Sequence, residues 1–179
     1  AEQIGYPVLL KALSGGGGRG MRRVRQPSEI REAFLAASAE AQGAFSDGRM
    51  YLERLIVGGR HIEFQVLCDG KNAVVLGERE CSVQRRHQKL IEEAPSPVMT
   101  RAQVAEMSEI ICNAVSRMGY RGAGTIEMLR DADGSLYFME MNTRLQVEHT
   151  ITEEIFGVDL VEEQLKICLL YTSPSPRDS

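Results

Sequence analysis

Apolar residues along the chain keep two rhythms, and each change of rhythm marks a change of element. The run YPVLLKAL (Tyr6 to Leu13) is almost continuously apolar around one lysine and reads as a buried strand. The glycine loop SGGGGRGM follows, then a short strand MRRVR stopped by Pro27. Ser28 is the expected N-cap of a helix reaching Gln42, because Ile30, Phe34, Ala37 and Ala41 recur at helical spacing. YLERLIV and HIEFQVLCD return to strand rhythm. In the second, Ile62, Phe64, Val66 and Cys68 share one face, and His61, Glu63 and Gln65 the other. A DGKN turn leads to a further strand, AVVLGERE. Thr100 and Gln103 form the capping box of a second helix with Val104, Met107, Ile111, Val115 and Met118 as its stripe and Gly119 as its C-terminal stop. The segments GAGTIEML and SLYFMEMN flank the turn DADG as a hairpin, and a last helix starts at Asp159.

Helices and antiparallel strands come in separate runs, so the class is α+β, antiparallel sheets with packed helices, and not a doubly wound parallel sheet. A length of 179 residues with 26% charged positions fits one soluble domain, or part of a larger protein. The net charge of −4 argues against nucleic acid held by bulk positive charge. Basic residues do gather locally, at Arg19, Arg22, Arg23 and Arg25 and at Arg85, Arg86 and Lys89, which suits a small anionic ligand. Cys68, Cys81, Cys112 and Cys168 have neither metal-finger nor disulfide-scaffold spacing and read as reduced thiols, hence a cytoplasmic protein. No apolar run reaches the roughly 18 residues that span a bilayer, so no membrane is expected. The abrupt start without a leader suggests a fragment. The Ser- and Pro-rich end YTSPSPRDS sets a disordered or non-native tail, residues 168–179, against a domain of residues 1–167.

Three segments carry candidate chemistry. In SGGGGRGM, Gly15, Gly17 and Gly20 satisfy G-x-G-x-x-G, but a strand and Pro27 follow where a dinucleotide fold needs a helix. A P-loop fails because Met21 replaces the required lysine. What remains is a run of glycines whose N–H groups can close over phosphate, flanked by Lys11 and Arg19; the alternative is a flexible linker. In the hairpin, a turn centred between Asp133 and Gly134 sets Glu127 opposite Glu140, with Cβ atoms about 5 Å apart. Two facing carboxylates repel unless a proton or cation lies between them, and Asn142 points to the same side. Glu127, Glu140 and Asn142 are hard oxygen ligands suited to Mg²⁺ or Mn²⁺; solvated surface acids are the alternative. Ile126, Met128, Phe138, Met139 and Met141 mark the opposite face as core. If the chain stays extended beyond the hairpin, Glu140, Asn142, Arg144, Gln146 and Glu148 share one side. The third segment, CSVQRRHQK, reads equally as a solvated basic turn or as a site for a nucleotide and an anion.

Taken in order, KALSGGGGRGM, RHIEFQVLCDG, ERECSVQRRHQKLIEEAPSP, YRGAGTIEML and FMEMNTRLQVEH resemble the ATP-grasp core of the biotin carboxylase family from about Gly5 to Lys166. The resemblance implies an ATP-grasp fold with a glycine-rich lid and an enzyme that carboxylates biotin with bicarbonate and ATP through carboxyphosphate. It places Lys11 on the ATP phosphates, Gly17 and Gly18 in the lid, and Glu53, Arg54, Leu55 and Ile56 at the adenine. His61, Gln84 and His87 match further nucleotide positions. Glu127, Glu140 and Asn142 match metal ligands. Lys89, Arg144, Gln146 and Val147 match the bicarbonate site, and Glu148 the general base. Lys89, Arg144 and Glu148 are thus the implied catalytic residues. The implied partners are a biotin carboxyl carrier protein and a carboxyltransferase, with a homodimer at full length. The sequence leans toward the acetyl-CoA carboxylase of fatty acid synthesis over propionyl-CoA, methylcrotonyl-CoA or pyruvate carboxylases. The family's flanking regions, including part of the biotin site, are missing, so the chain alone should turn over little or not at all. The rival readings are another ATP-grasp ligase and a non-catalytic ATP-binding module.

Overall fold

The computed structural model describes residues 1–15, 20–85 and 88–169. Gly17, Gly18 and His87, and the tail from residue 170, lie outside them. The chain divides into two compact units, Ala1–Val57 and Gly58–Ser179.

In the first unit β1 (Val8–Ala12) lies between β2 (Met21–Val24) and β3 (Met50–Arg54), antiparallel to both. β1 is buried on one side only: Val8, Leu10 and Ala12 are in the core, whereas Leu9 and Lys11 are half-exposed. One side chain on the outer face can thus be a lysine. α1 (Ile30–Phe45) packs on this sheet and buries Ala37 and Ala41. Ser28 does not cap it. Pro27–Glu29 forms a 3-10 turn first, and α1 begins behind Glu29 with no side-chain cap. A proline at the start of this turn supplies the fixed φ without needing an N–H partner.

The second unit is built on a five-stranded antiparallel sheet in the order β6-β5-β4-β7-β8. The strands are β4 (Arg60–Asp69), β5 (Ala73–Arg85), β6 (Gln88–Glu93), β7 (Arg121–Arg130) and β8 (Leu136–Asn142). α2 (Arg101–Arg117) covers one face, where Ile111 and Val115 meet Ile62, Phe64, Val66, Cys68, Ile126 and Met128. Its ends are fixed as the sequence requires. Thr100 Oγ1 accepts from Gln103 N–H, and Gln103 Oε1 accepts from Thr100 N–H. At the other end Gly119, at φ 65°, donates to Ser116 C=O while Tyr120 N–H reaches Val115 C=O, a Schellman closure. Met118, expected in the stripe, is 64% exposed, because it lies past the last turn that faces the sheet. The opposite face carries α3 (His149–Phe156) and α4 (Leu160–Leu169), and Leu160 packs on Leu67 and Ala123. Asp159 Oδ1 accepts from Glu162 N–H at the start of α4. α4 runs through Leu169, so Cys168 is helical.

Three further expectations change. CSVQRRHQK is not a plain turn: its ends are strand, part of β5 and of the edge strand β6. The chain does not stay extended after β8; it leaves the sheet at Asn142, and Glu148 stands at the head of α3. Phe138 and Met139 are out of the core, 65% and 38% exposed, on the edge strand β8, where a bulge opposite Glu127 and Met128 inserts one residue.

Candidate active site

The site grows from one row across the second sheet. Arg79 of β5 pairs in register with Glu63 of β4, Glu63 with Glu127 of β7, and Glu127 with Glu140 of β8. Residues directly opposite on antiparallel strands share a face, so one guanidinium and three carboxylates line up on the face that bears α3 and α4. This is the polar half of the β4 alternation: His61, Glu63 and Gln65 are as buried as the apolar half. A bulge in the β4–β5 pairing near Gly77 brings Arg79 into register with Glu63. Gly77 there has φ +64°, and a Cβ on it would lie 2.9 Å from the Phe156 ring of α3.

Lys89 of β6 reaches into this row. Its Nζ contacts Glu63 Oε1 and Glu148 Oε1 and lies 3.1 Å from Glu127 Oε1. The same Glu127 oxygen accepts from Asn142 Nδ2 at 2.7 Å and from Gln146 Nε2 at 2.9 Å. Glu127 Oε2 faces His61 Nε2 at 2.9 Å, off the line of a good hydrogen bond. Gln84 decides the form of that imidazole. Its amide nitrogen donates to Cys81 C=O at 2.7 Å and, by the same NH₂, to His61 Nδ1 at 2.8 Å. Nδ1 therefore accepts, and the proton of the neutral ring sits on Nε2, toward the carboxylates. In that state His61 is a donor and not a metal ligand, although its Nε2 and oxygens of Glu63 and Glu127 lie within 4.8 Å of one another.

Burial in so crowded a site works against every charge, and the neighbours outweigh it. Burial raises the Glu127 carboxyl, but the contacts with His61 and Gln146 and the charge of Lys89 bring it down to about 2. Glu148 is likewise raised by burial and lowered further by Lys89. Lys89 is pulled down by burial and pushed up, past its ordinary value, by Glu148, Glu63 and the charge of Glu127. Both carboxylates and the ammonium are thus ionised at neutral pH. Cys81 goes the other way: burial, then the charge of Glu63, pushes its thiol up, so it stays S–H.

The second unit thus gathers Lys89, Glu127, Asn142, Gln146, Glu148, His61 and Gln84 into one contact network. Other expected residues stand apart from it. Glu140 is opposite Glu127 in register, but its side chain is exposed. Arg144 is exposed and reaches Asn142 Oδ1 at 3.4 Å, and Val147 is 90% exposed. In the first unit Lys11 and Glu53 form a 2.7 Å ion pair; Arg54 ends β3, and Leu55 and Ile56 follow it.

The sequence matches the family described as carbamoyl-phosphate synthase L chain, ATP binding domain, over residues 1–174. The chain belongs to that family. Among curated relatives of this ATP-binding family, a biotin carboxylase from Nostoc sp. is 54% identical over 168 residues, 93% of this chain and 38% of the relative. A Campylobacter jejuni biotin carboxylase, solved as a β-γ-ATP complex, superposes with a TM-score of 0.89 at 48% identity over 99% of this chain and 40% of that one. The biotin carboxylase domain of Hydrogenobacter thermophilus 2-oxoglutarate carboxylase, solved with MgADP, ADP and bicarbonate, gives 0.86 at 51% identity over 93% and 37%. The chain therefore spans well under half the length of these relatives, and its fold is the ATP-grasp fold of biotin carboxylase domains. Glu63 and Arg79, central to the network, are site residues that the sequence reading did not single out. A signal was present in β4, where Glu63 shares the His61 and Gln65 face; for Arg79 only the pairing with Glu63 supplies one.

Proposed function

We propose that the protein carrying this chain carboxylates biotin with bicarbonate and ATP, and that this chain supplies the bicarbonate and metal–phosphate side of the site. The supporting observation is the Lys89 ammonium set among Glu148, Glu63 and Glu127, in a chain half identical to biotin carboxylases. A route through carboxyphosphate needs a cation for bicarbonate, an ionised base beside it, and ligands for the ion that accompanies ATP.

For that ion the residues fit. Glu127 is ionised, Glu140 lies opposite it in register, and Asn142 touches Glu127 through its Nδ2, so that its Oδ1 would reach the ion once the amide turns; these are hard oxygen ligands of the kind Mg²⁺ or Mn²⁺ takes. When bound there, the ion would neutralise charge on the ATP phosphates.

Bicarbonate, arriving as an anion, takes Lys89 and Arg144 as counter-charges, with the Gln146 amide and the Val147 N–H as donors. Drawing Lys89 away from Glu148 leaves that carboxylate free to take the bicarbonate proton. The oxygen so exposed attacks the γ-phosphorus; the bond to ADP breaks and carboxyphosphate forms. Its C–O bond then breaks to CO₂ and phosphate, the phosphate takes the biotin N1 proton, and N1 attacks CO₂. On the same reading Lys11 would serve the phosphates, Glu53, Arg54, Leu55 and Ile56 the adenine, His61, Gln84 and His87 further parts of the nucleotide, and Gly17 and Gly18 the lid.

The same reading makes residues 1–167 the ATP-grasp domain and residues 168–179 a tail outside it. It implies a cytoplasmic homodimer at full length, working with a biotin carboxyl carrier protein and a carboxyltransferase, with acetyl-CoA as the favoured acceptor over propionyl-CoA, methylcrotonyl-CoA or pyruvate. The chain by itself should show little or no turnover. The test is phosphate release from MgATP by the protein carrying this chain, with bicarbonate, free biotin or ammonia added in turn. Release that requires both bicarbonate and biotin is expected. Release supported by ammonia without biotin, or ATP binding with no release under any of these conditions, would overturn the reading.

A further inference from the structure

Arg79 has no part in the steps above, yet it is the largest fully buried side chain among the described residues. Its Nη1 donates to Gln65 Oε1 at 2.7 Å and to Thr152 Oγ1 at 2.8 Å. Its Nη2 donates to Glu63 Oε2 and Thr125 Oγ1, both at 3.3 Å. The four acceptors come from β4, β7 and α3, so one guanidinium ties two strands and a helix to β5.

We propose that Arg79 is a positioning residue for Lys89 and Glu148. It acts on them from two sides. On the sheet it holds one oxygen of Glu63, which fixes the carboxylate so that the other oxygen faces Lys89. On the helix it holds Thr152, one turn beyond the head of α3, where Glu148 stands. Lys89 and Glu148 meet because both are referred to the same buried fork. Three of its four acceptors are neutral, so charge pairing alone does not explain the arrangement. A buried ion pair costs desolvation that apolar residues of the same volume would avoid, which makes stability alone a poor reason for it. A lysine could keep the charge, but a single ammonium cannot reach four acceptors spread over the plane of a guanidinium.

The inference rests on the proposed reaction for its kinetic readout and has a second readout that does not. In the protein carrying this chain, Arg79→Lys should leave the KM for ATP within about twofold. It should raise the KM for bicarbonate about tenfold and lower kcat by about 10²-fold, the size of effect that lost outer-shell support and misplacement produce. A merely structural role would lower the folded fraction and leave both KM values and the turnover per folded molecule alone. Independently of any reaction, amine acetylation followed by mass spectrometry reads how well Lys89 is held, with exposed Lys71 as internal reference. Its acetylation should accelerate about tenfold in Arg79→Lys as its carboxylate partners loosen. Thr152→Val removes one acceptor and no charge, and serves if the Arg79 variants do not fold; a smaller shift in the same direction is expected. If Lys89 acetylates at the parent rate in the folded variants, the proposal is overturned. If the parent protein shows no bicarbonate-dependent ATP cleavage, the proposed reaction falls, and the acetylation rates still decide the role of Arg79.

Discussion

At the scale of single residues the account turns on Lys89 and the carboxylates around it. Glu148 is held as an anion by Lys89 against a burial that would protonate it, so in the proposed reaction it would be a base already unloaded before substrate arrives. Glu148→Gln keeps the size and polarity of the side chain and removes the base. It should leave nucleotide affinity near the parent value and lower turnover by about 10²–10⁴-fold, as the loss of a general base does. Binding isotherms for MgADP beside steady-state rates separate the two effects, and an equal loss of both would point to a role in nucleotide binding instead. Several members of the network stand in the sequence beside features that betray them: Glu127 opposite Glu140 in a hairpin, Gln84 and Lys89 in a dense polar run. Glu63 and Arg79 do not. Glu63 shows only as one member of the polar face of β4, and Arg79 stands between Glu78 and Glu80 in β5 with nothing to set it apart; their meaning comes from a register that joins β5, β4 and β7 across dozens of residues.

Elements were legible where local chemistry determines them. The α2 capping box and its glycine stop depend on residues three or four apart. Glu127 faces Glu140 as expected, but through the bulge: beside the turn Arg130 pairs with Leu136 about Asp133, not about a point between Asp133 and Gly134. The extra residue in β8 was not legible, because a bulge is set by packing against neighbours and not by the turn; it leaves Met139 as the inserted residue between Phe138 opposite Met128 and Glu140 opposite Glu127. The departure of the chain at Asn142 was hidden for a similar reason, since period two in NTRLQVE persists by composition after the strand has ended. The DGKN turn between β4 and β5 gives a prediction at this scale. Asp69 Oδ1 accepts from the Asn72 and Lys71 N–H groups and Oδ2 from the Asn72 amide, and these bonds lower its carboxyl from 3.8 to about 2. A carboxyl lowered by folding adds stability above its unfolded value and loses it as pH falls toward the folded one. The difference in urea midpoint between the parent and Asp69→Ala should therefore be constant above pH 4 and shrink as pH drops to about 2. A difference that stays constant down to pH 2 would show that the carboxylate form has no special place in the turn.

For the whole molecule, the two compact units divide the expected residues. Lys11, Glu53, Arg54, Leu55 and Ile56 belong to the first, and Lys89, Glu127 and Glu148 to the second. Among the described residues no helix is long and apolar enough to cross a membrane. The chain covers 38% of its Nostoc relative, so the proposed reaction is one for the whole protein that carries it. The central claim is that bicarbonate oxygen, activated beside Lys89 and Glu148, attacks the γ-phosphoryl group of ATP. Bicarbonate labelled with ¹⁸O in that protein, with MgATP and biotin, tests it most directly by mass spectrometry of the released phosphate. The account predicts one ¹⁸O per phosphate, carried over from bicarbonate when carboxyphosphate breaks down. Unlabelled phosphate, with its new oxygen drawn from water, would contradict it.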